Sequence, residues 1–495
     1  MDFPNDAKTM MALFAGQSAE PSDGTLPEGH PWQESYALSL GQQAYIWGFP
    51  WIYLTQICWL WTSEGGKAVT EAQGLKLPWA PMNSFFYAPA LGSPAAQTGG
   101  APNCDTLYST AWLNLAHEPL VLSVPAITDR YYTIQMASID SDNFGYVGTR
   151  TTGTAAGDYL IAGPNWFGAV PANVLDVLPR SRTPVALLLG RTGVNNGSPE
   201  DLSLAQAAQQ GFRLTPLSRW NNPALPVEPA PRAMVPVGLD FNNPRGAWET
   251  MNRAMGENPP GVYPAIDQTP LIRLFATIGV GPGQRLSAQS QATLRGLRAA
   301  ATDGLALMNQ MAKGRGKPVN GWTYPPLDFG RAGQASDYIT RAALQALGGI
   351  VANDPAEAVY LNTVEDADGN PLAADGTYAM TFRPDGGYPP FVADFHGFWS
   401  VTLYTATFNL VPNSTHYTVN SHDPSAYPPA DDGSLTILIQ RQDPQITQKG
   451  IYWLQTPDAA DTTGGEFLLI LRIYVPGPEV SGSQTWVPPA VTARP

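Results

Sequence analysis

Between residues 103 and 189 the chain alternates short apolar runs with polar turns, which is the pattern of β-strands. The runs are rich in β-branched and aromatic residues, and Pro, Gly and Asp separate them. The segment lacks the strand–helix alternation of a βαβ unit. The pattern predicts an antiparallel β domain with strands at LYSTAWLNL, LVLSVP, YYTIQMA, FGYVGT and DYLIAG.

Farther along the chain, apolar positions recur every three or four residues. Over 285–311 this spacing predicts an amphipathic helix that Ser287 caps and Gly314 ends. A second helix is predicted over 337–350. After Tyr360 strands return, at TYAMTF, GFWSVTLYT, HYTVNS, SLTILIQ and EFLLILRIYV.

The most apolar segment is YIWGFPWIYLTQICWLW, residues 45–61, which follows a helical pattern over 34–47. It is shorter than the roughly 20 residues of a membrane-spanning helix. Gly48 and Pro50 are expected to break or kink a membrane-spanning helix there. We therefore predict a buried core element, with a segment lying on a membrane surface as the alternative.

Together these patterns predict an α+β fold that is mainly β and contains no transmembrane segment. The predicted parts are a loose arm, an amino-terminal β-rich domain, a helical connecting region and a carboxy-terminal β-sandwich, at residues 1–30, 31–235, 236–355 and 356–495.

Composition narrows the function classes. Lys and Arg number 27 and Asp and Glu 41, a net charge of −14 at pH 7, which argues against a nucleic-acid partner. No P-loop, GxGxxG, HExxH, CxxC or GxSxG motif occurs. Two cysteines form no disulfide framework, and whether Cys58 and Cys104 pair stays open. The first residues show no secretory signal, so the cellular compartment also stays open.

The candidate catalytic groups are carboxylates near strand ends. Asp140 and Asp142 lie in the densest polar segment, SIDSDNFGYVGTRTTGT, and Asp105 lies upstream where a loop enters a strand. Close carboxylates push their pKa values apart and can serve as general acid and base. Local turn hydrogen bonds, or a few of the oxygen ligands of a Ca²⁺ ion, are the alternatives.

The candidate binding groups are donors and aromatic rings on the same strands. An Arg among tyrosines suits a carboxylate, although Arg130 could equally pair with Asp129 or Asp105. Trp399 could stack on a sugar or simply belong to the core. The predicted substrate-binding residues are Tyr108, Arg130, Tyr132, Gln135, Arg150 and Trp399.

A histidine-rich stretch near the carboxy terminus offers a metal alternative. Asp394 stands two positions before His396, so in a strand both side chains would point to the same face and could bind one ion. His416 and His422 follow and could complete the set of ligands. Ordinary surface or strand histidines explain the same pattern, so we expect neither a metal nor a cofactor.

Two sets of segments resemble a bacterial two-domain family. NCDTLYSTAWLNLAHEPLVLSVP, DRYYTIQMASID, VGTRTTGTAAGDYLIAGPNW and LLGR resemble domain of unknown function 1254. GFWSVTLYT, DGSLTILIQ, IYWLQTPD, EFLLILRIYVPGP and WVPPAV resemble its usual carboxy-terminal companion, domain of unknown function 1214. The resemblance implies a β-rich amino-terminal domain, connecting helices and a jelly-roll-like sandwich. It also implies a periplasmic or secreted location.

The functional expectation is an enzyme that acts on a small polar or carbohydrate-like molecule by hydrolysis or elimination. Asp140 or Asp142 would be the acid or base, Arg130 or Arg150 the anion clamp, and Tyr108 and Tyr132 the orienting groups. A non-catalytic protein that binds saccharide or protein, or assembles into a homo-oligomer, is the first alternative. A metal-assisted hydrolase is the second.

Overall fold

The computed structural model describes residues 32–95, 100–238, 243–261, 267–312, 315–458 and 465–494. The predicted arm at 1–30 and the predicted helix end at Gly314 lie outside these residues.

A long buried helix, α1 (Trp32–Thr62), takes up the most apolar segment. It continues through Gly48 and Pro50 without a break. Proline costs the helix one backbone hydrogen bond, but the residues around Pro50 are buried on every side, and this packing holds the helix together. Within the described ranges no helix is both long and apolar enough to cross a membrane.

The two other predicted helices form with shifted ends. The helix predicted over 285–311 is α7 (Gln291–Met311), and Ser290 caps it. The predicted cap Ser287 lies instead in a preceding 3₁₀ turn, Leu286–Ala288. Asp337 caps a helical segment whose middle widens to a π-helix at Arg341–Ala346. The other helices are α2 (Glu64–Ala72), α3 (Pro199–Gln210), α4 (Leu217–Asn221), α5 (Pro244–Glu257), α6 (Thr269–Ala276), α8 (Tyr338–Thr340), α9 (Leu347–Gly349) and α10 (Pro478–Ser481), with a 3₁₀ turn at Ala393–Phe395.

The amino-terminal strands form the predicted antiparallel arrangement in two sheets. One has the order β1-β2-β7-β4-β5 and the other β6-β3-β8. Their bounds are β1 (Phe86–Tyr87), β2 (Thr106–Asn114), β3 (Leu120–Val124), β4 (Tyr132–Ser138), β5 (Asn143–Gly148), β6 (Gly157–Ile161), β7 (Val185–Gly193) and β8 (Arg213–Pro216). The larger sheet shares one apolar core with the smaller sheet and a second with α1, α5 and α7.

The carboxy-terminal strands form two sheets around a common apolar core, as a sandwich does. Their orders are β14-β13-β17-β11-β10-β9 and β16-β15-β12-β18, and the β15–β16 pair is parallel. The bounds are β9 (Lys317–Val319), β10 (Trp322–Tyr324), β11 (Ala358–Thr363), β12 (Tyr378–Phe382), β13 (Phe398–Thr405), β14 (Thr418–Asn420), β15 (Leu435–Gln440), β16 (Ile451–Gln455), β17 (Phe467–Tyr474) and β18 (Thr492–Ala493).

The mixed α+β class is therefore confirmed, while the boundaries of the four predicted parts stay predictions. Cys58 in α1 and Cys104 before β2 are both buried, and no disulfide bond joins them.

Candidate functional site

Two rows of polar side chains meet where the amino-terminal sheets contact the sandwich. In the first row Tyr108 of β2 lies opposite Arg191 of β7. In the second, Arg472 of β17 lies between Tyr360 of β11 and Ser400 of β13. Successive residues of a strand point to opposite faces. The neighbours of Arg472 fill the sandwich core, so Arg472 itself points out of the sandwich.

Hydrogen bonds from the loop before β2 hold the two rows together. Ser400 Oγ donates to Asp105 Oδ2 at 2.6 Å, and Asn103 Nδ2 donates to the Tyr474 hydroxyl at 2.9 Å. Arg472 Nη2 donates to the carbonyl oxygen of Ala101 at 3.0 Å. We call the resulting group the seam cluster; its members are Asn103, Asp105, Tyr108, Arg191, Tyr360, Ser400, Arg472 and Tyr474.

Arg191 is 4% exposed and contacts only neutral groups among the described residues. Its Nη1 donates to Gln135 Oε1 at 2.9 Å and to Asn353 Oδ1 at 3.3 Å. The guanidinium lies 5.4 Å from the centre of the Tyr108 ring, a cation–π distance. Its Nε has no hydrogen-bond partner in the described part of the chain.

Arg472 is 5% exposed and is also surrounded by aromatic rings. Its guanidinium lies 5.4 Å from the Tyr404 ring centre and 5.8 Å from that of Tyr360. Its Nη1 finds no hydrogen-bond partner within the described ranges. Two buried guanidiniums thus each keep an unused N–H at the same seam.

The seam cluster carries more positive than negative charge. Asp105 is fully buried and is the only carboxylate in the cluster, against the two guanidiniums. Burial raises the pKa of both Tyr360 and Tyr474, so these hydroxyls stay neutral and supply no phenolate. An uncompensated buried charge costs several kcal/mol, about the penalty for desolvating one ion. This arrangement is suited to receiving a small anion.

Beside the cluster, Arg150 is already paired. Its Nε lies 2.6 Å from Glu357 Oε2, and the Tyr131 hydroxyl donates to the other carboxylate oxygen at 2.8 Å. Glu357 is 1% exposed. The guanidinium predicted as an anion clamp therefore neutralises a carboxylate of the protein.

Asp140 and Asp142 form a second, separate polar cluster. Arg182 Nη2 lies 3.0 Å from Asp140 Oδ1. Asp142 Oδ1 accepts from the Gly333 amide and from Gln345 Nε2, each at 3.1 Å. Burial, followed by repulsion from Asp140, raises the pKa of Asp142 to about 6. These partners of Asp140 and Asp142 lie outside the seam cluster.

The structure brings only some of the predicted catalytic and binding residues to the seam. Asp105, Tyr108 and Gln135 come together there, whereas three others do not. Arg130 is held by Asp129 and Asp201 at 2.8 and 3.0 Å. The Tyr132 hydroxyl donates to the Gly153 carbonyl oxygen, and its ring packs between the amino-terminal sheets. Trp399 lies in the sandwich core, 4.6 Å from the ring of Phe382.

The candidate metal ligands are dispersed. The His416 ring stacks on Trp453 with centroids 4.5 Å apart, while His422 Nε2 lies 3.8 Å from Asp105 Oδ1. Asp394 lies on the 3₁₀ turn that precedes β13, and His396 ends this turn. Within the described ranges no three His, Cys, Asp or Glu side chains come together to hold an ion.

Sequence reasoning missed the two seam arginines. Each is a single charge within an otherwise apolar strand, in VALLLGRTG and FLLILRIY. A lone Arg among buried strand residues is a signal in its own right, because such a charge is almost never fully buried without a partner.

Two family models match separate segments of the chain. A model of the family described as "Protein of unknown function (DUF1254)" matches residues 82–216, and one for "Protein of unknown function (DUF1214)" matches 357–478. The chain belongs to the two-domain DUF1254–DUF1214 family. Asp105, Tyr108 and Arg191 lie in the DUF1254 domain, and Tyr360 and Arg472 in the DUF1214 domain.

Comparison with solved structures supports the fold. The VPA0106 protein of Vibrio parahaemolyticus is 20% identical, with a TM-score of 0.65 over 93% of this chain and 100% of that one. An uncharacterized protein of Burkholderia cenocepacia is 15% identical, with a TM-score of 0.39 over 83% of this chain and 80% of its own. Comparison with curated proteins finds no match.

Proposed function

We propose that the protein binds a small organic anion between its DUF1254 and DUF1214 domains and acts on it as an enzyme. Arg191 and Arg472 would hold a carboxylate or phosphate group. The observation that carries this proposal is the pair of buried guanidiniums, each with an N–H that no described residue accepts. Guanidinium donors match the planar geometry of a carboxylate or a phosphate edge.

Charge balance favours a single negative charge on the bound group. Two arginines and Asp105 leave an excess of one positive charge in the seam cluster. A carboxylate neutralises that excess and accepts the two unused N–H donors. Tyrosine hydroxyls and the Gln135 amide surround the same position, so the rest of the molecule is expected to be polar, in keeping with the predicted substrate class.

The catalytic part of the proposal rests on Asp105. Its Oδ1 has no hydrogen-bond partner among the described residues, although the side chain is fully buried. An unoccupied carboxylate oxygen beside a bound anion is placed to accept or return a proton in hydrolysis or elimination. Asp142 Oδ2 also lacks a hydrogen-bond partner among the described residues. Asp140 and Asp142 differ from Asp105 in their surroundings, because they contact Arg182, the Gly333 amide and Gln345 instead of the seam cluster. We therefore move the proposed acid–base role from this pair to Asp105.

The proposal is tested by thermal unfolding with added anions. Sodium acetate, lactate, malate, phosphate and sulfate are each compared with sodium chloride at equal ionic strength. An anion present at 100 times its Kd should stabilise the folded state by about 2.7 kcal/mol. Arg191→Gln and Arg472→Gln should each remove the shift, because they lose the charge and the donor fork.

Arg253→Gln is the matched control, because Arg253 lies on the exposed surface of α5. It should respond to anions as the wild type does. If no anion in the panel stabilises the wild type, or if the three variants respond alike, the binding proposal is wrong. Stabilisation without turnover of any bound anion would favour the alternative of a non-catalytic binding protein.

A further inference from the structure

His422 lies against the seam cluster although the chain places it far from Asp105. It follows β14 and is 9% exposed, and its Nε2 lies 3.8 Å from Asp105 Oδ1. Its ring stacks on Phe398 with centroids 4.4 Å apart and planes inclined by 5°. Phe398 in turn stacks on Tyr474, a member of the cluster, at 4.3 Å. The imidazole is therefore fixed in orientation at the edge of the proposed site.

The position of Asp105 determines which ring nitrogen carries the proton. An ionised carboxylate only accepts hydrogen bonds, and Ser400 already donates to its Oδ2. Oδ1 is left facing His422 Nε2, at a distance that a small side-chain rotation converts to a hydrogen bond. A neutral imidazole facing this oxygen carries its proton on Nε2 and keeps a lone pair on Nδ1.

His422 Nδ1 is itself buried and has no partner among the described residues. We infer that His422 and Asp105 form an acid–base pair, in which Nδ1 takes a proton from the bound anion and Asp105 orients the imidazole. This inference rests on the proposed function, since it needs an anion in the seam. His422 then becomes the proposed catalytic residue, and the acid–base role proposed for Asp105 is exerted through the imidazole that it positions. His422 would serve in this role instead of as a metal ligand.

The electrostatic surroundings agree with a base that is neutral at rest. Burial lowers the pKa of His422, opposed by the negative charges of Asp105, Asp423 and Asp201. The imidazole is thus unprotonated at pH 7 and has a lone pair to use. Once it accepts a proton, the nearby Asp105 carboxylate stabilises the imidazolium, as the carboxylate does in an Asp–His pair.

The proposed step is a balanced proton transfer. The bond from hydrogen to the carbon beside the bound carboxylate breaks, and Nδ1 of His422 takes the proton. The electron pair stays on the substrate, where the guanidiniums of Arg191 and Arg472 stabilise the charge that moves onto the carboxylate oxygens. In an elimination the same pair then forms the double bond as the group on the next carbon departs. The departing group takes the proton back from His422, and no oxidant or reductant is required.

The tautomer of His422 gives the first test. Protein labelled with ¹⁵N-histidine is studied by NMR at pH 7, and His422→Gln identifies the signal among the five histidines. We expect a neutral ring protonated on Nε2. Asp105→Asn should shift the tautomer toward Nδ1–H, because the amide can donate to Nε2. His117→Gln, at an exposed position, should leave the His422 signal unchanged.

An Nδ1–H tautomer or a doubly protonated ring in the wild type would overturn the acid–base pair, as would a signal that Asp105→Asn does not move.

The second test titrates labelled protein with the anion that gives the largest Arg191-dependent thermal shift. That anion should shift the His422 signal, with a midpoint that matches the Kd obtained from the thermal shifts. In the same thermal assay, the affinity of His422→Gln for this anion should stay within about threefold of the wild-type value, a difference of less than 1 kcal/mol.

The two tests separate the two failures. Anion binding that depends on Arg191 but leaves the His422 signal unmoved means that the acid–base inference is wrong and the binding proposal stands. An Nε2–H tautomer in a protein that no anion stabilises means that the binding proposal is wrong, and the inference falls with it.

Discussion

The Asp142 carboxyl group predicts an unusual dependence of stability on pH. Burial and the neighbouring Asp140 raise its pKa from the usual 3.8 to about 6, against the opposing charges of Arg182 and Arg341. Because the pKa is higher in the folded than in the unfolded state, protonation of Asp142 stabilises the fold. This stabilisation is complete below 3.8 and is lost as the pH rises through about 6.

The magnitude follows from the difference between the two pKa values. A shift from 3.8 to about 6 corresponds to about 3 kcal/mol in total, at about 1.4 kcal/mol per unit. About 1 kcal/mol of this should be gained between pH 8 and pH 5, by linkage. Asp142→Asn carries no charge at either pH. The wild type should therefore gain about 1 kcal/mol over this variant on acidification.

Urea unfolding, followed by tryptophan fluorescence, gives the free energy of unfolding of the wild type and of Asp142→Asn. The difference between the two proteins is measured at pH 8 and again at pH 5. Asp368→Asn is the control, because it removes an exposed carboxylate and leaves the Asp140–Asp142 pair intact. A difference between wild type and Asp142→Asn that is the same at both pH values would refute the argument. So would a wild type that loses stability relative to the variant on acidification.

Two further predictions concern contacts between parts of the fold. Glu357→Ala leaves the largely buried Arg150 guanidinium without its partner and should lower the free energy of unfolding by about 3 kcal/mol. Glu249→Ala, which breaks an exposed helical ion pair, should change it by less than about 0.5 kcal/mol. Gly296→Ala places a methyl group 2.3 Å from a backbone oxygen of α1 and should destabilise by about 2 kcal/mol. Gly256→Ala, with no atom within 4 Å, should be neutral or stabilising; equal effects of the two substitutions would contradict the packing argument.

The strands could be predicted because their signal is local. Each run from β2 to β7 combines β-branched and aromatic residues with flanking turn formers, and its pairing partners confirm the antiparallel prediction. The continuation of α1 through Pro50 could not be predicted in this way. Proline is unfavourable in a helix by local criteria, and only the burial that tertiary packing provides offsets that cost.

The candidate site depends on contacts that the local pattern does not contain. Asp105 and Tyr108 are close in sequence, so their shared location could be predicted. Ser400 meets Asp105 across 295 positions of the chain, and Asn103 meets Tyr474 across 371. The metal hypothesis for His422 used sequence proximity to other histidines, whereas its actual neighbour is a carboxylate in the other domain.

The seam cluster also explains why the chain needs both domains for the proposed function. The DUF1254 domain supplies Arg191 and Asp105, and the DUF1214 domain supplies Arg472 and His422. In an isolated DUF1214 domain Arg472 would face water, because the loop that accepts its N–H belongs to the other domain. A guanidinium in water binds a carboxylate only weakly, whereas one in a buried seam binds strongly, because the local dielectric is low. Docking of the two domains would therefore create the proposed anion site, and the strand registers on both sides would set its geometry.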